Sequence, residues 1–407
     1  MKVYPTAGIR NVALVGHGGT GKTSLAEAMI FNTGATKRMG KVDDGNTISD
    51  FSPEEIRKKI TISTSLVPCE YRDHKINLLD TPGYSDFYFE VVGAMRVADS
   101  MLVLMSASAG VEVQTEVVWE DYPDVPKIVF VNKMERENAD FSKVIDDMKE
   151  KFTNNIVPVQ LPIGKEASFK GVVDLIKMKA LMFEPGSGKV TEADIPADMA
   201  GEVETYKEAL IEAAAEANDD LLTKYLEGEE LSDAEVVAGI KEAATNGSAV
   251  FVFCGSATNN MGVKQVMDFI VDCAPAPTAN PLVKGKNIET EPLTAQVFKT
   301  IADPYVGRLT MFRVFTGKMK SDSVLYNTNK EREEKISQIL VMTGKEQSPV
   351  PELNAGDIGA LAKLAATATG DTLTVKGEAN VMPPLEFPKP TLNMAIEPKS
   401  KGDEDKL

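Results

Sequence analysis

Val12-Ala13-Leu14-Val15-Gly16-His17-Gly18-Gly19-Thr20-Gly21-Lys22-Thr23-Ser24 joins a short apolar run to a glycine-rich turn and a helix start. The turn matches G-x-x-x-x-G-K-[ST] in the strand, loop and helix setting that gives the pattern its meaning. Its glycines allow backbone N–H groups to close around a polyphosphate. The helix start adds the positive end of its dipole, Lys22 a point charge, and the Thr23 hydroxyl a ligand for Mg²⁺. His17, Gly18, Gly19, Thr20, Gly21 and Ser24 complete the cradle.

From Ile9 to about Cys273, further apolar runs alternate with helix-length stretches: Ile76 to Leu79, Met101 to Met105, Ile128 to Val131 and Val250 to Phe253. That rhythm predicts an α/β domain with a parallel sheet wrapped by helices, over residues 1–280. Two stretches break it. Residues 34 to 61 hold glycines and charges with little periodicity, predicting a long mobile loop. Residues 156 to 247 fall between two parallel strands and predict an inserted α+β subdomain. Three prolines within Cys273 to Pro281 mark a linker. Beyond it, period-two runs at Leu293 to Lys299, Leu309 to Phe315, Ser323 to Tyr326, Lys335 to Leu340 and Asp371 to Val375 predict an all-β barrel over 281–388.

Further candidate residues lie at predicted strand ends, where open α/β sheets bind ligands. Asp80-Thr81-Pro82-Gly83 offers a carboxylate to a metal's outer shell and the N–H of Gly83 to a terminal phosphate. Asn132-Lys133-Met134-Glu135 and Gly255-Ser256-Ala257 form a base-reading set. A carboxylate at Glu135 suits the N–H donors of guanine, and the Ala257 N–H suits its O6. Thr61, closing the long loop, offers a hydroxyl to Mg²⁺.

Composition narrows the function. The 407 residues carry 44 Lys plus Arg against 61 Asp plus Glu, a formal charge of −17, so general polyanion binding is excluded and any nucleic-acid contact must be local. Residues 201 to 240 hold 12 acidic residues and 2 lysines, a net of −10. They predict a solvated helix face beside the apolar stripe Val203, Leu210, Ala214 and Ala217, or a docking face for a basic partner. Three cysteines without C-x-x-C spacing argue against disulfides or a zinc ribbon and for a cytoplasmic chain. No signal or membrane segment is predicted, and a monomer is expected.

These motifs resemble the translational GTPases, most closely the elongation factor G family, over nearly the whole chain. The resemblance rests on GHGGTGKTSL (16 to 25), DFSPEEIRKKITI (50 to 62), DTPGYSDF (80 to 87), FVNKME (130 to 135) and FCGSATNNMGV (253 to 263). RLTMFRVFTGKMKSDS (308 to 323), ELNAGDIGAL (352 to 361) and TGDTL (369 to 373) look like the family's second, β-barrel domain. Residues from Pro390 resemble the first strand of a third domain, so 389–407 reads as its truncated start and the chain as an N-terminal fragment. The resemblance implies GTP/GDP and Mg²⁺ as ligands, with Lys22 as phosphate lysine and Gly83 as γ-phosphate sensor. Thr23 and Thr61 would be metal ligands, with Asp80 acting on the metal through water. Asn132, Lys133, Glu135, Ser256 and Ala257 would hold guanine.

It also implies a ribosome partner, with the barrel against ribosomal RNA and the acidic insertion near the stalk protein. The family reads D-T-P-G-H where this chain has Tyr84, a side chain that positions water but does not act as imidazole does near neutral pH. Gly18 stands for an apolar residue, Gly19 for an aspartate, Lys59 for a glycine and Glu135 for an aspartate. Two readings follow: a ribosome-stimulated GTPase, in elongation or ribosome disassembly, and a GTP-dependent ribosome-binding or protection module with little hydrolysis.

Overall fold

The computed structural model describes residues 2–303, 307–378, 380–390 and 392–398. Its first half runs β1 (Ile9–Val15), α1 (Lys22–Asn32), α2 (Pro53–Lys58), β2 (Ser65–Tyr71), β3 (His74–Asp80), α3 (Tyr88–Val97), β4 (Ser100–Ser106), α4 (Val113–Asp121), β5 (Lys127–Asn132), α5 (Phe141–Lys151) and β6 (Asn155–Pro158). A second group follows: β7 (Gln160–Ile163), β8 (Gly171–Asp174), β9 (Lys179–Glu184), β10 (Lys189–Ala193), α6 (Ala200–Glu216), α7 (Asp219–Leu226) and α8 (Asp233–Asn246). The chain then returns through β11 (Ala249–Cys254) and α9 (Val263–Cys273).

β1, β4, β5 and β11 are buried along their whole length, as strands covered by helices on both faces must be. They sit inside one seven-stranded sheet of order β2-β3-β1-β4-β5-β11-β6. The sheet is parallel except at one edge, where β2 runs antiparallel to β3. Only Arg72 and Asp73 join these two strands, both at positive φ, and a two-residue turn connects only antiparallel neighbours. A strand after Thr61 is expected from the sequence, but its hairpin with β3 is not, because Arg-Asp lacks the usual glycine signal.

The long loop is not without structure. Ser52 caps α2 in a reciprocal box with Glu55, and Pro53 opens the helix. The buried Glu27 carboxylate of α1 accepts the N–H groups of Gly40 and Ile48, pinning the loop's first half.

The insertion begins later than its sequence suggests. β6 pairs in parallel with β11 and extends the main sheet, whereas β7 to β10 form a separate four-stranded antiparallel sheet. Of the predicted stripe, Val203, Leu210 and Ala214 are buried in α6, while Ala217 caps its C-terminus half-buried; the acidic side chains of α6 face outward.

The second half is all antiparallel: β12 (Thr294–Asp303), β13 (Gly307–Thr316), β14 (Lys318–Lys320), β15 (Ser323–Asn327), β16 (Arg332–Ile336), β17 (Ile339–Thr343), β18 (Glu346–Val350), β19 (Glu352–Asn354), β20 (Ile358–Ala362) and β21 (Thr372–Thr374). Eight strands in the order β16-β15-β21-β12-β13-β20-β17-β18 make a half-barrel around Val297, Phe312, Val314, Leu325, Val341 and Leu361. The single run expected at Lys335 to Leu340 is two strands. β16 pairs at one end of the sheet and β17 near the other, so the chain must turn at Ser337-Gln338.

No strand forms over the described residues 392–398, where Leu392, Met394 and Ile396 are exposed; a lone strand has nothing to satisfy its N–H and C=O groups. The rest of the expected strand, Thr391 and Lys399, and the chain beyond it lie outside the described residues.

The two halves share a core. Phe298, Leu309, Met311, Leu340, Met342, Ile358 and Ala360 pack into the same apolar cluster as the central sheet. A buried polar network runs alongside. Arg313 meets Asp99 at 2.7 Å and Lys75 meets Asp357 at 2.7 Å. Asn11 links Asp99 to Asn77, which reaches Asp357.

Cys69, Cys254 and Cys273 are free and buried. Burial raises all three thiol pKa values, that of Cys273 to about 12. Among the described residues, no helix is long and apolar enough to cross a membrane.

Candidate functional site

The loop between β1 and α1 turns on Gly16, Gly19 and Gly21, at φ 129°, 81° and 101°. Two of these positions admit nothing larger: a Cβ on Gly16 would lie 2.4 Å from the Leu104 carbonyl oxygen, and one on Gly21 2.3 Å from Asn132 Nδ2. The Lys22 ammonium lies inside the loop, donating to the carbonyls of Gly16 at 2.8 Å and His17 at 2.9 Å. Burial pulls its pKa down to about 8, against the opposing charges of Asp80 and Asp50. Thr20 Oγ1 donates to the His17 carbonyl, while Ser24 lines the cleft. The His17 ring accepts from the Gln114 N–H and stands 3.6 Å from Glu112.

Beside the loop is a cluster of hard oxygen donors. Thr23 Oγ1 donates to Asp80 Oδ2 at 2.9 Å and lies 3.0 Å from Thr61 Oγ1. Ser49 Oγ also donates to Asp80 Oδ2, at 2.6 Å. Asp50 hydrogen-bonds Thr61, and burial followed by the Asp80 charge pushes its carboxyl up to about 7. Burial raises Asp80 as well. Asp50 Oδ1 and Asp80 Oδ1 are buried without a hydrogen-bond partner among the described residues. Two hydroxyls and two incompletely satisfied carboxylates fit a Mg²⁺ ion. Sequence reading missed Asp50 and Ser49. Both lie in an aperiodic loop, and only the fold brings them to Asp80.

The Thr61 end of the loop is held by Glu55, whose buried carboxylate accepts the N–H groups of Ser52, Ile62 and Ser63. Lys59 ends α2 at φ 57°, the left-handed conformation that a glycine adopts without strain. Its ammonium lies 3.6 Å from Asp43. Across the cleft, Gly83 approaches the loop so closely that a Cβ would lie 2.4 Å from Lys22 Nζ and 2.7 Å from the Gly18 nitrogen. Tyr84 lays its ring over Gly18 and stays 42% exposed. Nothing lies within 4 Å of a Cβ built on Gly19.

The base-reading set gathers at the far end. Asn132 braces it, donating to the Thr20 carbonyl at 2.8 Å and accepting the Ala257 N–H at 2.9 Å. The Ala257 N–H expected for O6 is thus engaged with Asn132. Gly255 is packed so tightly that a Cβ would lie 2.2 Å from the Met261 carbonyl oxygen; Ser256 Oγ accepts the Asn259 N–H. Lys133 sits at φ 67° and lines the cleft. Glu135 accepts from Thr258 Oγ1 through Oε1, while its buried Oε2 has no partner among the described residues. An unpartnered carboxylate oxygen matches a ligand with N–H donors.

The phosphate loop, Asp50 and Thr61 of the oxygen cluster, Gly83, Tyr84 and Lys133 line one cleft of about 300 Å³, whereas Asp80, Asn132, Glu135, Ser256 and Ala257 lie outside its lining. Fold and site together define a P-loop GTPase domain joined to a β half-barrel. Residues 7–276 match the model of the elongation factor Tu GTP binding domain, and residues 292–376 that of elongation factor G domain 2. The chain belongs to the translational GTPases of the elongation factor G type. It is similar to the solved structure of the Thermus thermophilus protein ttk003000868, at a TM-score of 0.88 and 32% identity, over 98% of this chain and 59% of that one. This chain therefore spans less than two thirds of that protein's length.

Proposed function

We propose that the cleft binds GTP with Mg²⁺ and hydrolyses it to GDP and phosphate, with hydrolysis stimulated by ribosomes. The observation that carries this reading is the 3.0 Å approach of Thr61 to Thr23 beside Asp80, three residues from separate motifs converging on one point. The 16–24 loop N–H groups and Lys22 hold the β- and γ-phosphates. Thr23 and Thr61 hold the metal directly, with Asp80 and Asp50 behind, and the bound ion supplies positive charge to the phosphates. Lys133 and Glu135 take the base, with Asn132, Ser256 and Ala257 shaping its pocket.

Hydrolysis needs an in-line water whose oxygen bonds to the γ-phosphorus as the bond to the β-bridging oxygen breaks. The Gly83 N–H orients the γ-phosphate. The Tyr84 hydroxyl holds the water by hydrogen bonding. Catalysis is then mainly positioning and charge stabilisation.

The exposed acidic faces of α6 to α8 suit a basic region of the ribosomal stalk protein, and the half-barrel a local ribosomal RNA contact. A monomer in a reducing cytoplasm agrees with the three buried free thiols.

The test is phosphate release from GTP at saturating nucleotide, with and without ribosomes. Ribosomes are expected to raise the rate, and Lys22→Ala to weaken nucleotide binding at least 100-fold. Tight GTP binding without release would leave the cleft a nucleotide latch and remove the hydrolytic half of the proposal.

A further inference from the structure

Lys299 belongs to the second domain, yet its side chain ends among the nucleotide-site loops. Its ammonium donates to the Thr64 carbonyl at 2.7 Å, to Glu90 Oε2 at 2.7 Å and to the Ser63 hydroxyl. Ser63 and Thr64 are the exit of the Thr61 loop. Glu90 lies on α3, the helix that follows Gly83 and Tyr84. Glu90 closes the circuit by accepting the Thr64 N–H at 2.7 Å, and Thr64 Oγ1 donates to the Glu90 carbonyl. One nearly buried cation therefore joins both phosphate-facing segments to a third, distant one.

The backbone of β12 is built to deliver that cation. Val297 pairs with Phe312 and Lys299 with Met311, so Phe298 is an extra residue in the strand, a β-bulge. Val297 faces the half-barrel core, and regular alternation would place Lys299 on that same face. The bulge resets the alternation and turns Phe298 and Lys299 together toward the first domain. Room for it comes from Gly93 of α3, where a Cβ would lie 2.9 Å from the Phe298 carbonyl oxygen.

We infer that Lys299 is a positioning residue through which the second domain holds the Thr61 loop closed and so sets the preference of the cleft for GTP over GDP. The inference rests on the guanine-nucleotide reading of the cleft. Thr61 acts only toward the metal and the γ-phosphate side. GDP lacks that phosphate and gains little from the closed loop, whereas GTP binds the closed arrangement better. Removing the cation shifts the loop toward open forms and weakens the two nucleotides unequally.

The experiment titrates this chain with fluorescent GDP and with fluorescent GTPγS in Mg²⁺. Lys299→Met keeps the aliphatic stem and removes the charge. It is expected to weaken GTPγS about tenfold while GDP changes less than twofold. Lys299→Arg should restore much of the difference, and Ser63→Ala should move the ratio the same way by a smaller factor. Equal losses for both nucleotides, as from general loosening of the domain interface, would overturn the inference, as would an unchanged ratio. If Lys299→Met does not fold, the Ser63→Ala ratio decides. A wild-type chain that binds neither nucleotide would overturn the reading of the cleft itself, a result distinct from binding with an unchanged ratio.

Discussion

Gly18 and Tyr84 are joined by their sizes. A Cβ on Gly18 would lie 2.9 Å from Cζ of the tyrosine ring, so the bare backbone is what lets a large aromatic lie over the phosphate loop. The resemblance read in the sequence implies an apolar side chain and a histidine at these two positions, and a Cβ on Gly18 would collide with the ring that stands here. Gly18→Val should displace the ring and destabilise the loop by about 1–3 kcal/mol, as overpacking does. Tyr84→His should relieve that cost in the double variant. A double-mutant cycle on GTP affinity checks it, with a coupling of about 1 kcal/mol expected and purely additive effects counting against it. Residues whose role is set by neighbours in the chain are legible from the sequence alone: Gly16, Gly21, Lys22 and Thr23 fall within one contiguous motif between β1 and α1. Asp50 and Ser49 are not, because they reach the site from a loop without periodicity, and Lys299 is not, because the period-two run it ends says nothing of the bulge that turns it toward the first domain.

Among the elements, α8 shows how a terminus depends on one cap. Ser232 Oγ accepts the Glu235 N–H, and the Glu235 carboxylate accepts in turn from Ser232 and from Lys224. These bonds, led by Lys224, hold the Glu235 carboxyl down at about 2. A carboxyl lowered in the folded state contributes stability above its ordinary value near 4.5, and that contribution is lost as pH falls from there toward 2. Helicity of the insertion, followed by circular dichroism, should therefore decline over that window, and less so in Glu235→Gln. Ser232→Ala should cost about 1 kcal/mol at neutral pH in urea unfolding. Both the box S-x-x-E here and its twin at Ser52 are legible in principle, yet the second is hidden by the irregular loop around it. The hairpin of β2 and the split between β16 and β17 are hidden differently: the Arg72-Asp73 turn from β2 to its partner carries no glycine, and β16 and β17 each pair with a hairpin neighbour, β15 and β18, instead of continuing as one strand.

For the molecule as a whole, the interface between halves unites an apolar core with buried ion pairs. Arg313 and Asp99 are each 1% exposed, and removing one partner strands the other's charge away from water. Arg313→Met should cost about 3–5 kcal/mol. Urea unfolding should pass from one transition to two, because the half-barrel then loses its coupling to the central sheet. A single transition with an unchanged midpoint would show that the apolar contacts alone hold the halves together. The order of α/β alternation, proline linker and period-two strands makes both folds readable, but not this fusion: Asp99 and Arg313 lie far apart in the chain, and neither announces a partner.

The three cysteines give the folded chain a built-in clock. Cys69 lies in the edge hairpin, Cys254 at the end of a central strand and Cys273 at the end of α9, and burial keeps each protonated. Alkylating reagents attack thiolate, so the native chain is silent toward them, and each sulfur answers only when its own part of the fold opens. Mass spectrometry of peptides labelled over time would read three local opening rates from one unmodified sample. With GTP added, slower labelling at Cys69 relative to Cys273 would trace how far closure of the Thr61 loop stiffens the sheet edge beside it.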